Sequence, residues 1–359
     1  MFDSGALSAP PEPPHFVPFA SDTKRRLDRT SLARNPLAVT LPRFAQWLSL
    51  LLAVALLGGF VQPSHAQTNE PIDSRVVEAT RDIVAARGPD RYTKLRVLWS
   101  LWEDTDPDQV EQALRSMQRH PSLDPSARVY ASLLSAYARR RRGDLPSARA
   151  QVSALRFIDQ WMVAGPFDNE GRSGHDRVFE PESRLNDPVD PQLVYEGKER
   201  QVRWRAIPHA FPDGWLDFGE LFRPQERICG FATTFVRARD DKARVATVWL
   251  GATGAFRLFW NGQEVLSDGA YRTMDAERFA TTVDVKAGWN RLTVKVCGDA
   301  LSPMLTVRLG DRQGAPDASL VVSADAVHAD DAAKNAIYAP SPNQARITIR
   351  AQGAEGSIR

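Results

Sequence analysis

The segment Trp249-Leu-Gly-Ala-Thr-Gly-Ala-Phe-Arg-Leu-Phe-Trp-Asn-Gly-Gln-Glu-Val265 decides the fold of this 359-residue chain. Phe256, Leu258 and Trp260 fall on one side of an alternating strand, and Asn261-Gly262 supplies the positive-φ residues that a tight hairpin turn needs. A second segment, Val283-Asp-Val-Lys-Ala-Gly-Trp-Asn-Arg-Leu-Thr-Val-Lys-Val-Cys297, answers the first. Val283 and Val285 run into a turn at Ala287-Gly288, and Leu292, Val294 and Val296 then alternate with Arg291, Thr293 and Lys295. This period of two predicts antiparallel strands of a β-sandwich.

Upstream, between Pro71 and about Leu155, the period is helical. Val76, Val77, Ile83 and Val84 mark a first helix, ended by Gly88-Pro89. Tyr92, Leu95, Leu98, Trp99 and Trp102 mark a second, and Val110, Ala113, Leu114 and Met117 a third, closed by His120-Pro121. A fourth runs through Val129, Tyr130, Leu133, Leu134 and Tyr137 to Arg142, and a fifth from Pro146 through Val152 to Leu155. The join Leu133-Leu-Ser-Ala-Tyr-Ala-Arg-Arg-Arg-Arg-Gly-Asp-Leu-Pro-Ser-Ala148 resembles one tetratricopeptide repeat, with Gly143 for the turn and Asp144 as a helix cap.

From Phe157 the pattern changes to short strands and turns. Three stretches carry a resemblance: Trp161-Met-Val-Ala-Gly-Pro-Phe-Asp-Asn169, the Leu250–Gly262 strand with its turn, and Ala287-Gly-Trp-Asn290 leading into Val294-Lys-Val296. Together they look like the galactose-binding-like domain found near the N-terminus of exported bacterial proteins that also carry tetratricopeptide and transglutaminase-like regions. The resemblance covers residues 157–310 and implies a jelly-roll fold while saying little about ligand. No transglutaminase core follows within this sequence, so that chemistry is not carried over. The expected fold class is thus α+β in separate domains, a short helical tetratricopeptide-like region followed by an all-β jelly-roll sandwich. The expected boundaries are 1–66 for an extension and signal peptide, 67–156 for the helices, 157–312 for the sandwich and 313–359 for a linker or the start of a further region. Within that last part, residues 325–336 read as a linker with a partial helix.

Residues 45–61 form an uncharged apolar run, preceded by Arg43 and followed by small residues at Ser64 and Ala66. This is the layout of a secretory signal peptide cleaved near Ala66, with a retained signal anchor as the alternative. The proline-rich stretch before it is long for an n-region, and a start at Val39 would leave a short one. Export to the periplasm or outside the cell is expected, with membrane contact only through this segment. Residues 1–66 hold six basic and four acidic residues against 46 and 44 in the whole chain, so the remainder is neutral. Without a net positive field, nucleic acid is an unfavoured partner. The two cysteines, Cys229 and Cys297, lie in β-patterned segments. In an exported protein they are expected to pair, two buried thiols in neighbouring strands being the alternative.

Motifs for catalysis are missing from the sequence: there is no H-E-x-x-H, no C-x-x-C, no phosphate-binding glycine loop and no nucleophile elbow. Asp213 with Asp217, or Glu180 with Glu182, could be imagined as acid and base, yet nothing in the sequence sets their separation. The expected function is a non-catalytic binding or scaffold module whose partner is a glycan or an envelope protein. The rival is an accessory region of a transglutaminase-like or glycan-active enzyme whose catalytic domain lies elsewhere. Trp215, in a loop-like segment, is the tryptophan expected to be exposed, and with Asp213 and Arg272 it forms the candidate ligand set. Asp168, Asn169, Glu170 and Asp176 could hold a structural calcium ion, the only cofactor considered, although such residues also serve any solvated turn.

Overall fold

In this computed structural model the described residues are 71–207 and 214–336, with the backbone of 349–350. The apolar run at 45–61 and Asp213 lie outside them. Five helices come first: α1 (Ser74–Ala85), α2 (Pro89–Ser100), α3 (Pro107–Arg119), α4 (Pro125–Arg141) and α5 (Leu145–Leu155). Asp73, Asp106, Asp124 and Asp144 stand just before α1, α3, α4 and α5, and each carboxylate accepts a first-turn backbone N–H that would otherwise be orphaned. Proline occupies the first turn of α2 through α5, where its missing N–H costs nothing. The five helices match the five apolar periods of the sequence. No helix among the described residues is long and apolar enough to cross a membrane.

The strands follow: β1 (Met162–Asp168), β2 (Val194–Glu196), β3 (Gln201–Arg203), β4 (Arg205–Ala206), β5 (Trp215–Asp217), β6 (Ile228–Ala238), β7 (Arg244–Trp260), β8 (Gln263–Arg272), β9 (Phe279–Val285), β10 (Asn290–Cys297), β11 (Met304–Gly310), β12 (Leu320–Ser323) and β13 (Ile349–Arg350). All but the β2–β3 hairpin join one antiparallel sheet of eleven strands. Its spine is β7, 17 residues long. The first half of β7 pairs with β9 and β11, and the second half pairs with β8 and β10. β8 and β9 therefore run along β7 one after the other, and so do β10 and β11. Asn261 and Gly262 have φ of 49° and 82° and close the β7–β8 hairpin as a two-residue turn.

The sheet curls about β7, so that inward residues of both halves fill one core. Val248, Leu250 and Val307 come from one half, and Leu258, Val236 and Val294 from the other. Each outer face is covered as well. Trp249, Ala276 and Ala280 pack into the helical core with Leu95, Leu98, Leu114 and Leu134. Tyr92 of α2 stacks on Trp249 at 5.7 Å, and Arg96 pairs with Asp275 at 2.7 Å. On the other face Phe167, Phe231 and Phe235 lie under Phe179, Trp204, Ala329 and Ala332.

Two expectations change here. Trp215 belongs to strand β5, paired with Thr306, and is half-buried where a free loop ring was expected. Residues 325–335, read as a linker with a partial helix, dock against the β9–β10 turn. Asp331 of the short α8 (Ala329–Ala333; α6 is Glu180–Ser183 and α7 Phe218–Leu221) accepts the Trp289 N–H at 3.0 Å. Asn335 donates to Ala287 and Trp289 carbonyls, and His328 stacks on Trp289 at 3.8 Å.

Candidate ligand-binding cleft

The densest polar cluster is consumed by the fold itself. Arg291, Thr293 and Lys295 alternate with the core residues of β10 and would point to water in a two-layer sandwich, but residues 169–204 fold over them. Lys295, its side chain fully buried, donates to the carbonyls of His175 and Arg177 at 3.0 and 2.6 Å and to Glu182 at 2.8 Å. Burial pushes its ammonium below the ordinary lysine range, and Glu182 pulls the other way. Glu182 also pairs with Arg257, which holds Glu264 at 2.6 Å. Arg291 donates to the carbonyls of Leu185 and Asp187 at 3.2 and 3.1 Å, and burial lowers its guanidinium to about 10. Every strong group in this cluster has a protein partner. Its role is to hold the excursion on the sheet.

The 168–176 loop lies at the edge of the same face. Asp168 and Glu170 face Lys198 at 3.5 and 2.7 Å, and Glu170 also faces Arg227 at 3.7 Å. Asn169 is fully buried: its amide donates to the Gly298 carbonyl at 2.7 Å, and its oxygen accepts from the Gly174 N–H and the Tyr271 hydroxyl. Asp176 meets His175 at 2.8 Å. Arg272 pairs with Asp268 at 2.7 Å, one residue beyond the tyrosine that touches Asn169. The structure thus brings Arg272 beside the loop, while Trp215 sits across β11 and β7 from it. Among the described residues no cluster of three or more His, Cys, Asp or Glu is arranged to hold a metal ion. Cys229 and Cys297 face each other across β6 and β10 and form the expected disulfide, closing a 68-residue loop.

An open cleft of about 350 Å³ lies where α5 ends and the first β-segment begins. Its floor is apolar, from Val152, Ile158, Leu309 and Leu320, and Phe157 stands half-buried in its wall. The rim carries Arg156, Asp159, Gln160, Arg239 and Asp317. Arg156 reaches the Leu320 carbonyl at 3.3 Å and Arg239 the Ala318 carbonyl at 3.2 Å, each through a single nitrogen. Asp317 spends one oxygen on Ser319, through its N–H at 2.8 Å and its hydroxyl at 2.6 Å. The side chains of Asp159 and Gln160 make no hydrogen bond or ion pair among the described residues. Gly214, next to Trp215 in the sequence, also lines the cleft. Sequence reading missed the other rim residues because they come from 156–160, 239 and 317. The available signal was the switch from helical to β period at Phe157, since pockets favour seams between layers.

No protein-family model matches the chain, and no curated protein does. Among solved structures, the PA14 domain of the MpAFP antifreeze protein is 13% identical, with a TM-score of 0.21 over 27% of this chain and 52% of that one. A β-glucosidase from Kluyveromyces marxianus, in complex with glucose, is 10% identical with a TM-score of 0.25 over 42% of this chain and 15% of its own. The selenomethionine form of that enzyme gives 8% identity and a TM-score of 0.26, covering 16% of its length. The chain thus spans about half of the PA14 domain structure and about a sixth of the glucosidase. Likenesses of this size carry no argument about ligand or reaction. The antiparallel β architecture is itself compatible with a jelly-roll or galactose-binding-like fold.

Proposed function

We propose that this chain is a non-catalytic binding module of an exported protein, taking a glycan in the cleft between α5 and β12. One observation carries the reading: Asp159 and Gln160 line the cleft with no hydrogen bond or ion pair among the described residues, beside two guanidiniums with nitrogens to spare and the half-buried ring of Phe157. A sugar hydroxyl both donates and accepts, so a rim that alternates carboxylate, amide and guanidinium can satisfy several hydroxyls at once, while the ring and the aliphatic floor take the C–H face. Trp215, the sequence neighbour of cleft-lining Gly214, stays in the proposed ligand set, and Asp213 lies outside the described residues. Arg272 is outside it. Residues 168–176, whose acids already face lysine and arginine, are a fold-stabilising loop in this reading.

Export is part of the proposal. A disulfide persists in oxidising compartments, and the apolar run at 45–61 with Ser64 and Ala66 would direct the chain there. The test is calorimetric titration of the purified protein with a panel of soluble oligosaccharides, repeated on Asp159→Ala and Arg239→Ala. Both residues are exposed, so the variants should melt like the wild type. Binding of at least one glycan, weakened by about tenfold in both variants, is expected, since hydrogen bonds to charged groups are the strong ones. Absence of glycan binding, or binding indifferent to both changes, overturns the reading.

A further inference from the structure

A second cleft, of about 290 Å³, opens on the seam between the helices and the sheet, on the side of α2 and α4. Its floor is formed by Tyr92, Trp249 and Ala280, all at most 6% exposed. The Trp249 ring stacks with Tyr92 and has the Arg308 guanidinium 5.4 Å from its centroid, so much of its π-surface is already covered by protein. Most polar groups around it are spent within the protein. Asp124 accepts from Arg91, from the Ser126 hydroxyl and from the Ala127 N–H, and the Thr247 hydroxyl donates to the Asp311 carbonyl.

Arg312 differs. It lines the cleft, is exposed, and makes no ion pair or hydrogen bond among the described residues. The turn that presents it is held from several sides. The Asp311 carboxylate accepts the N–H groups of Gln313 and Ala315 at 2.8 and 3.0 Å, and Arg308 donates to the Gly314 carbonyl at 2.9 Å. Gly314 has φ of +84°, and a Cβ there would stand 2.7 Å from Ser126 and 3.0 Å from Trp249, so the turn is pressed against both layers. A cation with no ion pair or hydrogen bond among the described residues is thereby presented by a held turn at the mouth of an apolar cleft. The N-terminus of α2, behind Gly88 and without a side-chain cap, adds a partial positive charge on the same wall.

We infer that this cleft binds a small apolar molecule bearing a single carboxylate, with the carboxylate on Arg312 and the apolar body against Trp249, Tyr92 and Ala280. The guanidinium fork matches a planar carboxylate, and an apolar floor disfavours the heavier desolvation of a doubly charged phosphate. The volume limits the ligand to something below ordinary drug size. The inference is independent of the glycan cleft, whose rim shares no residue with this one.

The probes are phenylacetate and its neutral isostere phenylacetamide, titrated at low salt into the full chain and followed by saturation-transfer NMR and calorimetry. Saturable phenylacetate binding, with phenylacetamide clearly weaker, is expected. Arg312→Gln should lower phenylacetate affinity by about tenfold or more and leave phenylacetamide unchanged, because only the charged contact is lost. Thr282→Phe, an exposed β9 residue that lines the cleft, should abolish binding of both by filling the space without touching the charge. Asp159→Ala should leave both unchanged. The inference is overturned by no binding of phenylacetate at millimolar concentration, by equal affinity for the two probes, or by full affinity in either cleft variant with its wild-type melting temperature retained.

Discussion

Replacing Glu277 with leucine would leave the Arg308 guanidinium buried opposite no carboxylate. Both side chains are fully buried, and Arg308 Nε donates to Glu277 Oε1 at 2.7 Å. A second nitrogen, Nη1, holds the Gly314 carbonyl, so the arginine cannot swing out to water without also releasing the 311–314 turn. Removing one member of such a pair costs about 3–5 kcal/mol, because the remaining charge stays desolvated. Against a total stability of about 5–15 kcal/mol that is a large share. Replacing both, as Glu277→Leu with Arg308→Met, removes the desolvation along with the attraction and should return most of the loss. Equilibrium urea unfolding, followed by tryptophan fluorescence and compared at equal slope, measures all four corners of this cycle. A cost below about 1 kcal/mol for Glu277→Leu, or a double variant whose loss is the sum of the singles, would refute the reasoning.

Trp260, 3% exposed with its indole N–H on the Asp284 carbonyl at 2.9 Å, should cost about 3–5 kcal/mol on replacement by alanine, read from the same unfolding curves. Cys229→Ser with Cys297→Ser should lower stability by about 4 kcal/mol for a loop of this length, and non-reducing peptide mapping of the wild type should recover the two cysteine peptides linked. Asp331 is held below the usual carboxylate range by the Trp289 N–H, then by Lys334. Its contribution is therefore full above the ordinary carboxylate pKa of about 4 and fades as pH falls through the lower folded value. Acid titration of Trp289 indole chemical shifts should show that step, and Asp331→Asn should remove it. Sequencing of the exported product should start at or near Gln67, and intact material confined to the cytoplasm would count against export.

Local rules made the helices and the central hairpin legible. An apolar period of 3.6 marked α3 and α4, Asp144 was legible as the cap of α5, and Asn261-Gly262 could serve hardly anything but a tight turn. The pairing of Cys229 with Cys297 followed from compartment and strand pattern. Arg291 and Lys295 were a different matter. Their alternation with leucine and valine describes a face, but whether water or protein covers that face depends on residues 169–204, whose contacts through Leu185 and Arg177 span 106 and 118 positions. Trp215 looked like loop because its three-residue strand is too short to show a period, and it is defined by its pairing with β11. The proposed glycan cleft was illegible for a similar reason, its rim being assembled only when α5, β6 and β12 meet.

The uninterrupted course of β7 also bears on how the molecule comes undone. The paths beside it break between Arg272 and Phe279 and again between Cys297 and Met304, but β7 passes from one half of the sheet into the other without a break. A chain severed near Gly254 would give two fragments, each with an unpaired sheet and half an apolar interior facing water. The halves should therefore melt in a single cooperative step and resist transplantation as separate modules. Most of the pairings along β7 join residues distant in sequence, so the transition state must close long loops before it is rewarded, and folding should be slow beside that of the helical segment.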